Sequence, residues 1–292
     1  MVLKQGSRRI EVRMELDNQA DDHRVRVLVP TPFVSETVVA DNQFGCITRP
    51  TNDPAMAVWE EEKWKEAPVP VYQLMNFAAL ENGKAGMAIM SNGLREFEVI
   101  ASQGDENRDT FALTLFRGIG VLGKEELLLR PGRPSGIKIP TPDSQVRGKL
   151  VCEFTLCGFS GNHIDANIMA QARDNVTQIE CYNKIPYNAM KLNVGEQNLP
   201  MSFSLLSKQQ AGAVLSVLKK AEDEDALIMR VYNPAETGSV SDSISFTQAV
   251  SSWKETSMDE RVREGDLATE TFGDLSFGEL ASCQAKTFQI KF

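Results

Sequence analysis

Histidine is nearly missing from this chain: His23 and His163 are the two in 292 residues. A metal site or a nucleophilic triad built on imidazole would have to use one of them. His23 lies in Asp21-Asp22-His23-Arg24. That cluster can be read as metal ligands or an acid–base group. The plainer reading, which we favour, is a turn whose polar groups finish a strand end. His163 opens a helical segment and is expected to be solvated. The P-loop and metalloprotease patterns GxxxxGK[ST] and HExxH are absent, as is the nucleophile elbow GxSxG. Gly118-Ile119-Gly120-Val121-Leu122-Gly123 spells GxGxxG, but no helical pattern follows it, and it reads as a strand exit and not as a nucleotide loop. The five cysteines (Cys46, Cys152, Cys157, Cys181, Cys283) are dispersed, odd in number and form no CxxC, which suits reduced thiols in the cytoplasm. No stretch approaches the ~18 apolar residues of a membrane span, and the opening MVLKQGSRRI carries no apolar signal-peptide core. Basic excess is lacking too: 31 Lys and Arg face 40 Asp and Glu, a net charge of −9. That balance disfavours nucleic acid as a partner. The acidic runs Glu60-Glu61-Glu62 and Glu222–Asp225 read as solvated faces.

What is present is a β pattern. With 42% hydrophobic and 24% charged residues, a proper globular core is expected. Ile10, Val12, Met14 and Leu16 alternate with charged residues, and Val25, Val27 and Val29 repeat the period of two. Phe77–Leu80 and Met87–Met90 flank Glu81-Asn82-Gly83-Lys84, a hairpin turn in which Asn-Gly accepts positive φ. Leu94–Ile100, Phe111–Phe116 and Leu150–Gly158 are further strands. In the last, Cys152 and Cys157 fall on opposite faces and should not pair. Ile164, Ile168 and Ala172 recur at helical spacing over 163–176, with Asn162 as the cap. Residues 54–64 suggest a second, shorter helix. A polar, Asn-rich stretch over 181–200 marks a boundary, giving units at 1–200 and 201–292. Beyond it Ala213–Leu218, Leu227–Tyr232, Ser241–Phe246 and Lys286–Phe292 form the strands of a small sandwich. A strand beginning at Arg9 suggests a trimmed chain.

Leu127–Arg147, LLLRPGRPSGIKIPTPDSQVR, breaks the pattern. Its prolines and glycines forbid a helix or a central strand, and a long stiff loop is usually functional. Arg130, Arg133, Lys138 and Arg147 punctuate it. A guanidinium grips planar anions through two parallel bonds, so Arg130, Arg133 and Lys138 are candidate ligands for a carboxylate or phosphate. Arg117 closes the apolar strand Phe111–Phe116, where a side chain can leave the sheet and enter a cleft. Arg95 and Glu96 read as rim charges. Trp59, Trp64 and Tyr72 are aromatics that would suit a sugar ring or the core equally.

Six stretches then resemble one family: LDNQADDHRVRVLVPTPF (16–33), DNQFGCITRPTND (41–53), GLREFEV (93–99), TLFRGIGVLGKEELLLRPGRPSGIKIPTPDSQ (114–145), CYNKIPYNAMKLN (181–193) and SVLKKAEDEDALIMRVYNPAE (216–236). They look like the C-terminal part of bacterial glycoside hydrolase family 38 α-mannosidases, in the mannosylglycerate hydrolase subgroup. The resemblance implies a mainly β fold. A large antiparallel β-supersandwich of the galactose mutarotase type is followed by a smaller β-sandwich, with one or two short helices. It implies a retaining exo-α-mannosidase whose nucleophile and divalent metal, usually zinc, sit in an N-terminal catalytic part that this chain does not match. That catalytic part and the mannosyl substrate are the implied partners. An arginine that the family's β-portion lends to the mannose site corresponds to Arg117. No catalytic or metal-ligating residue is assigned to this chain, which alone is expected to be inactive. Two other readings stand beside it: a stand-alone carbohydrate-binding module and a homo-oligomerisation module, both without catalysis.

Overall fold

The structure is a computed structural model. It describes residues 1–292 apart from 103–106, 133, 178, 182–199, 209–211 and 262–273. The chain divides into two compact units, Met1–Val176 and Thr177–Phe292. The expected boundary stretch 181–200 falls almost wholly outside the described residues.

The strands of the first unit, in chain order, are β1 (Val2–Leu3), β2 (Arg9–Asn18), β3 (Arg24–Pro30), β4 (Thr37–Asn42), β5 (Gly45–Pro50), β6 (Val71–Gln73), β7 (Phe77–Glu81), β8 (Ala85–Ser91), β9 (Glu96–Ile100), β10 (Thr110–Arg117), β11 (Val121–Leu122), β12 (Ile139–Pro140) and β13 (Gly148–Ser160). All pair antiparallel. A seven-stranded sheet runs β1-β2-β13-β8-β7-β4-β5, and a four-stranded sheet runs β3-β10-β9-β6. Their facing sides make one core. Val38, Ala40, Ala78, Leu80, Ile89, Cys152 and Phe154 from the first sheet meet Phe97, Val99, Phe111, Leu113 and Leu115 from the second. The period-two pattern is the cause: Val12, Met14 and Leu16 pack on this core while Glu11, Arg13 and Glu15 face water. The β7–β8 turn is the expected one. Gly83 sits at φ 80°, and the Asn82 side-chain oxygen accepts the N–H groups of Lys84 and Ala85.

Both expected helices are shorter than the pattern suggests. α1 is a single turn, Ala55–Val58, followed by turns that end at Lys63 in the left-handed region. α2 spans Ile168–Val176. Asn162 does cap the preceding turn through the Asp165 N–H, but Asn167 at φ 53° separates that turn from the helix. Ile168 and Ala172 are buried, as their spacing requires. Cys157 is buried near α2, with its thiol 3.6 Å from Gln171 Oε1, and Cys152 lies on the opposite core face. His163 is not solvated. Its backbone N–H donates to Glu81 at 2.7 Å and its Nδ1 lies 3.0 Å from the same carboxylate, with both side chains mostly buried. The partner lies 82 residues away, beyond the reach of a local reading.

In the second unit β14 (Leu206–Lys208), β15 (Val214–Lys220), β16 (Leu227–Tyr232), β17 (Val240–Phe246), β18 (Ser252–Thr256), β19 (Asp274–Leu280) and β20 (Ala285–Lys291) form sheets β14-β17-β19 and β15-β16-β20-β18. Met229, Val231, Ile244, Leu275, Phe277, Phe288 and Ile290 fill its core. The strand-dominated architecture matches the expected large antiparallel sandwich followed by a smaller one.

Candidate functional site

One concave surface gathers two of the charges that the sequence singled out, Arg117 and Lys138. It is a cavity of about 930 Å³ in the first unit, and its lining includes Asp22, His23, Arg24, Glu96, Arg117, Lys124 and Lys138. Val69, Val71, Leu127 and Leu129 supply apolar wall.

Arg117 reaches it because of a β-bulge. Phe111, Leu113 and Leu115 point into the core, so strict alternation would send residue 117 inward as well. Against β3, however, the register jumps: Thr114 pairs with Arg26 and the next partner, Phe116 with Val25, skips Leu115. The extra residue resets the alternation. Phe116 continues the core side, and Arg117, opposite Arg24, emerges exposed. Arg24 is already neutralised: it pairs with Glu96 at 3.3 Å, and Glu96 also accepts the Thr114 hydroxyl at 2.6 Å. Arg26 pairs with Glu98. Among the described residues Arg117, Lys124 and Lys138 have no ion-pair partner for their side chains. Three cations without an ion-pair partner outweigh the one such carboxylate of the lining, Asp22, and in a chain of net charge −9 this local positive excess suits an anion.

The loop itself is anchored by its other cations. Arg147 forks onto Asp21 through Nε and Nη2, which holds the Asp21 carboxyl below the usual carboxylate range. Arg130 lies 2.9 Å from Glu66, a charge contact whose Nε–H is not well directed, and it is not among the cavity-lining residues. Arg133 lies outside the described residues. Ser135 and Lys124 exchange two bonds, and Leu129 O accepts the Ala67 N–H at 2.8 Å. Of the four expected ligands, the structure brings Arg117 and Lys138 together. Lys124, which the sequence reading passed over, joins them.

The PTPDSQ segment braces Gly118–Gly120, of which Gly118 and Ile119 line the cavity. The Ile119 N–H donates to Ser144 O at 3.0 Å and the Thr141 N–H to Gly120 O at 2.9 Å. Gln145 Oε1 accepts the Asp22 N–H at 2.8 Å, while its Nε2 donates to Asp22 Oδ1 at 3.0 Å. Asp22 Oδ1 also accepts the Gly120 N–H at 2.7 Å. A Cβ on Gly120 would meet Gln145 Nε2 at 2.5 Å, which is why this strand exit carries glycine. His23 has the plain role: its carbonyl accepts the Gly118 N–H at 2.8 Å, and its ring packs edge-on against Phe116.

Comparison with known proteins decides the family. The model of the glycosyl hydrolases family 38 C-terminal domain matches residues 1–120, and that of the family 38 C-terminal beta sandwich domain matches residues 212–291, together more than half of the chain. The chain belongs to glycosyl hydrolases family 38, as its C-terminal region. A protein of Halalkalibacterium halodurans named "Putative mannosylglycerate hydrolase" is 27% identical over 239 residues, covering 82% of this chain and 23% of that protein. Two solved structures share the fold at 20% identity, each covering 98% of this chain. A family 38 glycosyl hydrolase from Enterococcus faecalis gives a TM-score of 0.72 over 29% of its length. An α-mannosidase from Enterococcus faecalis V583 gives 0.73 over 28%. The chain thus spans roughly a quarter of the length of these relatives.

Within this family 38 region, no group of three or more His, Cys, Asp and Glu among the described residues is placed to hold a metal ion. The side chains present do not fit the divalent metal that the resemblance implies. Both carboxylates of the cavity lining are committed elsewhere, Asp22 to Gly120 and Gln145, and Glu96 to Arg24 and Thr114. No helix among the described residues is long and apolar enough to cross a membrane.

Proposed function

We propose that this chain is the C-terminal β-portion of a retaining exo-α-mannosidase that hydrolyses 2-O-mannosylglycerate or its 6-phospho form in the cytoplasm. Its part is to supply one wall of the substrate cleft and to brace the catalytic part. The observation that carries this reading is the convergence of Arg117, Lys124 and Lys138, none paired with a carboxylate among the described residues, on one cavity. The name borne by the relative from Halalkalibacterium halodurans supports the choice of substrate.

Retaining hydrolysis needs two carboxyl groups roughly 5–5.5 Å apart across the sugar. In this reading they, and a zinc ion, come from the catalytic part, so the chain by itself turns nothing over. The cations do what fixed cations do well: they hold an anionic substrate in one orientation, with the guanidinium favoured for its two-pronged geometry. The test is Arg117→Ala in the whole enzyme. One charge-assisted contact is worth about 1.5–3 kcal/mol, so kcat/KM should fall by about tenfold to hundredfold. An unchanged kcat/KM would refute the substrate wall.

A further inference from the structure

The Asp22–Gln145 pair bears on Arg117 without touching the cavity's free cations. Its partners are two turns that are 123 residues apart in sequence, joined as two hydrogen bonds in a ring: Asp22 N–H to Gln145 Oε1, and Gln145 Nε2 to Asp22 Oδ1. The same Oδ1 takes the Gly120 N–H. Asp22 adopts φ 53° to do so, a conformation that aspartate tolerates better than most residues. Gln145 is tied down in turn, because the buried Asn18 side chain donates to Gln145 O at 3.1 Å and Val146 O at 2.9 Å. The backbone of Gly118–Gly120 is therefore gripped from both sides. His23 and Asp22 accept the N–H groups of Gly118 and Gly120 on one side, Thr141 and Ser144 bond Ile119 and Gly120 on the other, and Gln145 acts through Asp22. Arg117 is the residue immediately before this grip, and Lys138 lies three residues before Thr141.

We infer that Asp22 and Gln145 are positioning residues. They fix the exit of β10 against the loop so that Arg117 and Lys138 face one ligand together; Gln145 is not part of the cavity lining, and Asp22, which is, has its Oδ1 turned to Gly120 and Gln145. The inference rests on the substrate-wall reading for its functional consequence, but its physical core can be read separately. A carboxylate at 145 would face the Asp22 carboxylate and lose the donated bond. Asp22→Asn, by contrast, keeps Oδ1 as the acceptor for both Gly120 and Gln145.

The experiment compares Gln145→Glu, Asp22→Asn and Arg117→Ala. In the 292-residue chain, amide exchange at Gly120 is measured. Gln145→Glu should lower its protection about tenfold, and Asp22→Asn, which keeps Oδ1 as the acceptor of both bonds, should leave it unchanged. In the whole enzyme, Gln145→Glu should lower kcat/KM with the same division between kcat and KM as Arg117→Ala. Adding it to Arg117→Ala should cost nothing further. Unchanged Gly120 protection in Gln145→Glu overturns the clamp, whatever Arg117 does. Lost protection with a full, additive penalty on top of Arg117→Ala overturns the link to Arg117. A silent Arg117→Ala beside a responsive Gly120 sinks the substrate wall and leaves the clamp standing.

Discussion

Replacing Asp41 by alanine should destabilise the first unit more than most single changes. Asp41 opens one of the stretches that carry the family resemblance, yet it lines no part of the cavity. It is 4% exposed, and its two oxygens accept the backbone N–H groups of Met75 (2.9 Å), Asn76 (2.8 and 2.9 Å) and Phe77 (2.9 Å), and the Asn76 side-chain amide (2.8 Å). The carboxylate thereby sews the end of β4 to the turn that launches β7. Alanine leaves three backbone donors without an acceptor. Met75 is exposed enough for water to replace its bond, whereas Phe77 is fully buried and Asn76 partly so. Two orphaned donors at about 1–3 kcal/mol each give roughly 2–6 kcal/mol. For a unit of this size that corresponds to a Tm drop of about ten degrees. Asparagine keeps one acceptor oxygen and should lose about half as much. The assay is thermal unfolding followed by the fluorescence of Trp59 and Trp64, in a Trp253→Phe background so that the second unit is silent. An Asp41→Ala protein within about 1 kcal/mol of the parent would show that the carboxylate is dispensable and the reasoning wrong.

Two of the five thiols, Cys181 and Cys283, are exposed, and Cys46, Cys152 and Cys157 are buried. A thiol reagent should therefore titrate two groups promptly in the folded chain and three more on unfolding. Burial pushes the Cys152 and Cys157 thiols up, so moving to mildly alkaline pH should not recruit them. A third fast thiol in the native protein would contradict this. Glu81→Ala removes the acceptor for both the His163 N–H and its ring. It should cost about 1–3 kcal/mol and raise amide exchange in α2, and unchanged exchange over Ile168–Val176 would count against the pair as the anchor of that helix.

The sandwich was legible because its cause is local. Alternation of Val12, Met14 and Leu16 with charged residues, or an Asn-Gly between two apolar runs, states the strand and its turn without reference to anything distant. The helices were legible in kind but not in extent, since a single left-handed residue, Asn167, resets the chain where the apolar spacing alone would continue. The site was legible only in part. Arg117 was placed at the right strand end, but the alternation of Phe111, Leu113 and Leu115 pointed it into the core. Only pairing with β3 reveals the bulge at Leu115 that turns it outward. Likewise the partners of His163, Arg147 and Asp22 lie 82, 126 and 123 residues away. Contacts of that range follow from sheet closure and leave no mark in a window of sequence.

The division of labour among the loop's charges bears most directly on function. A proline- and glycine-rich loop has few backbone bonds to hold it, so side chains must do so. Arg147 on Asp21 is one such tether, and Arg130 beside Glu66 is another. The sign of its pH response follows from Asp21, whose carboxyl sits below its ordinary value in the folded chain. The Arg147 tether is intact above the unfolded carboxylate range and is lost as pH falls through the lowered value. At neutral pH the tethered cations are spent on the loop's own shape, while Lys138, with Lys124 and Arg117, is left facing the cavity. Cations placed merely for solubility would have no reason to sort in this way. The sorting into charges that hold and charges that present is what a ligand wall requires.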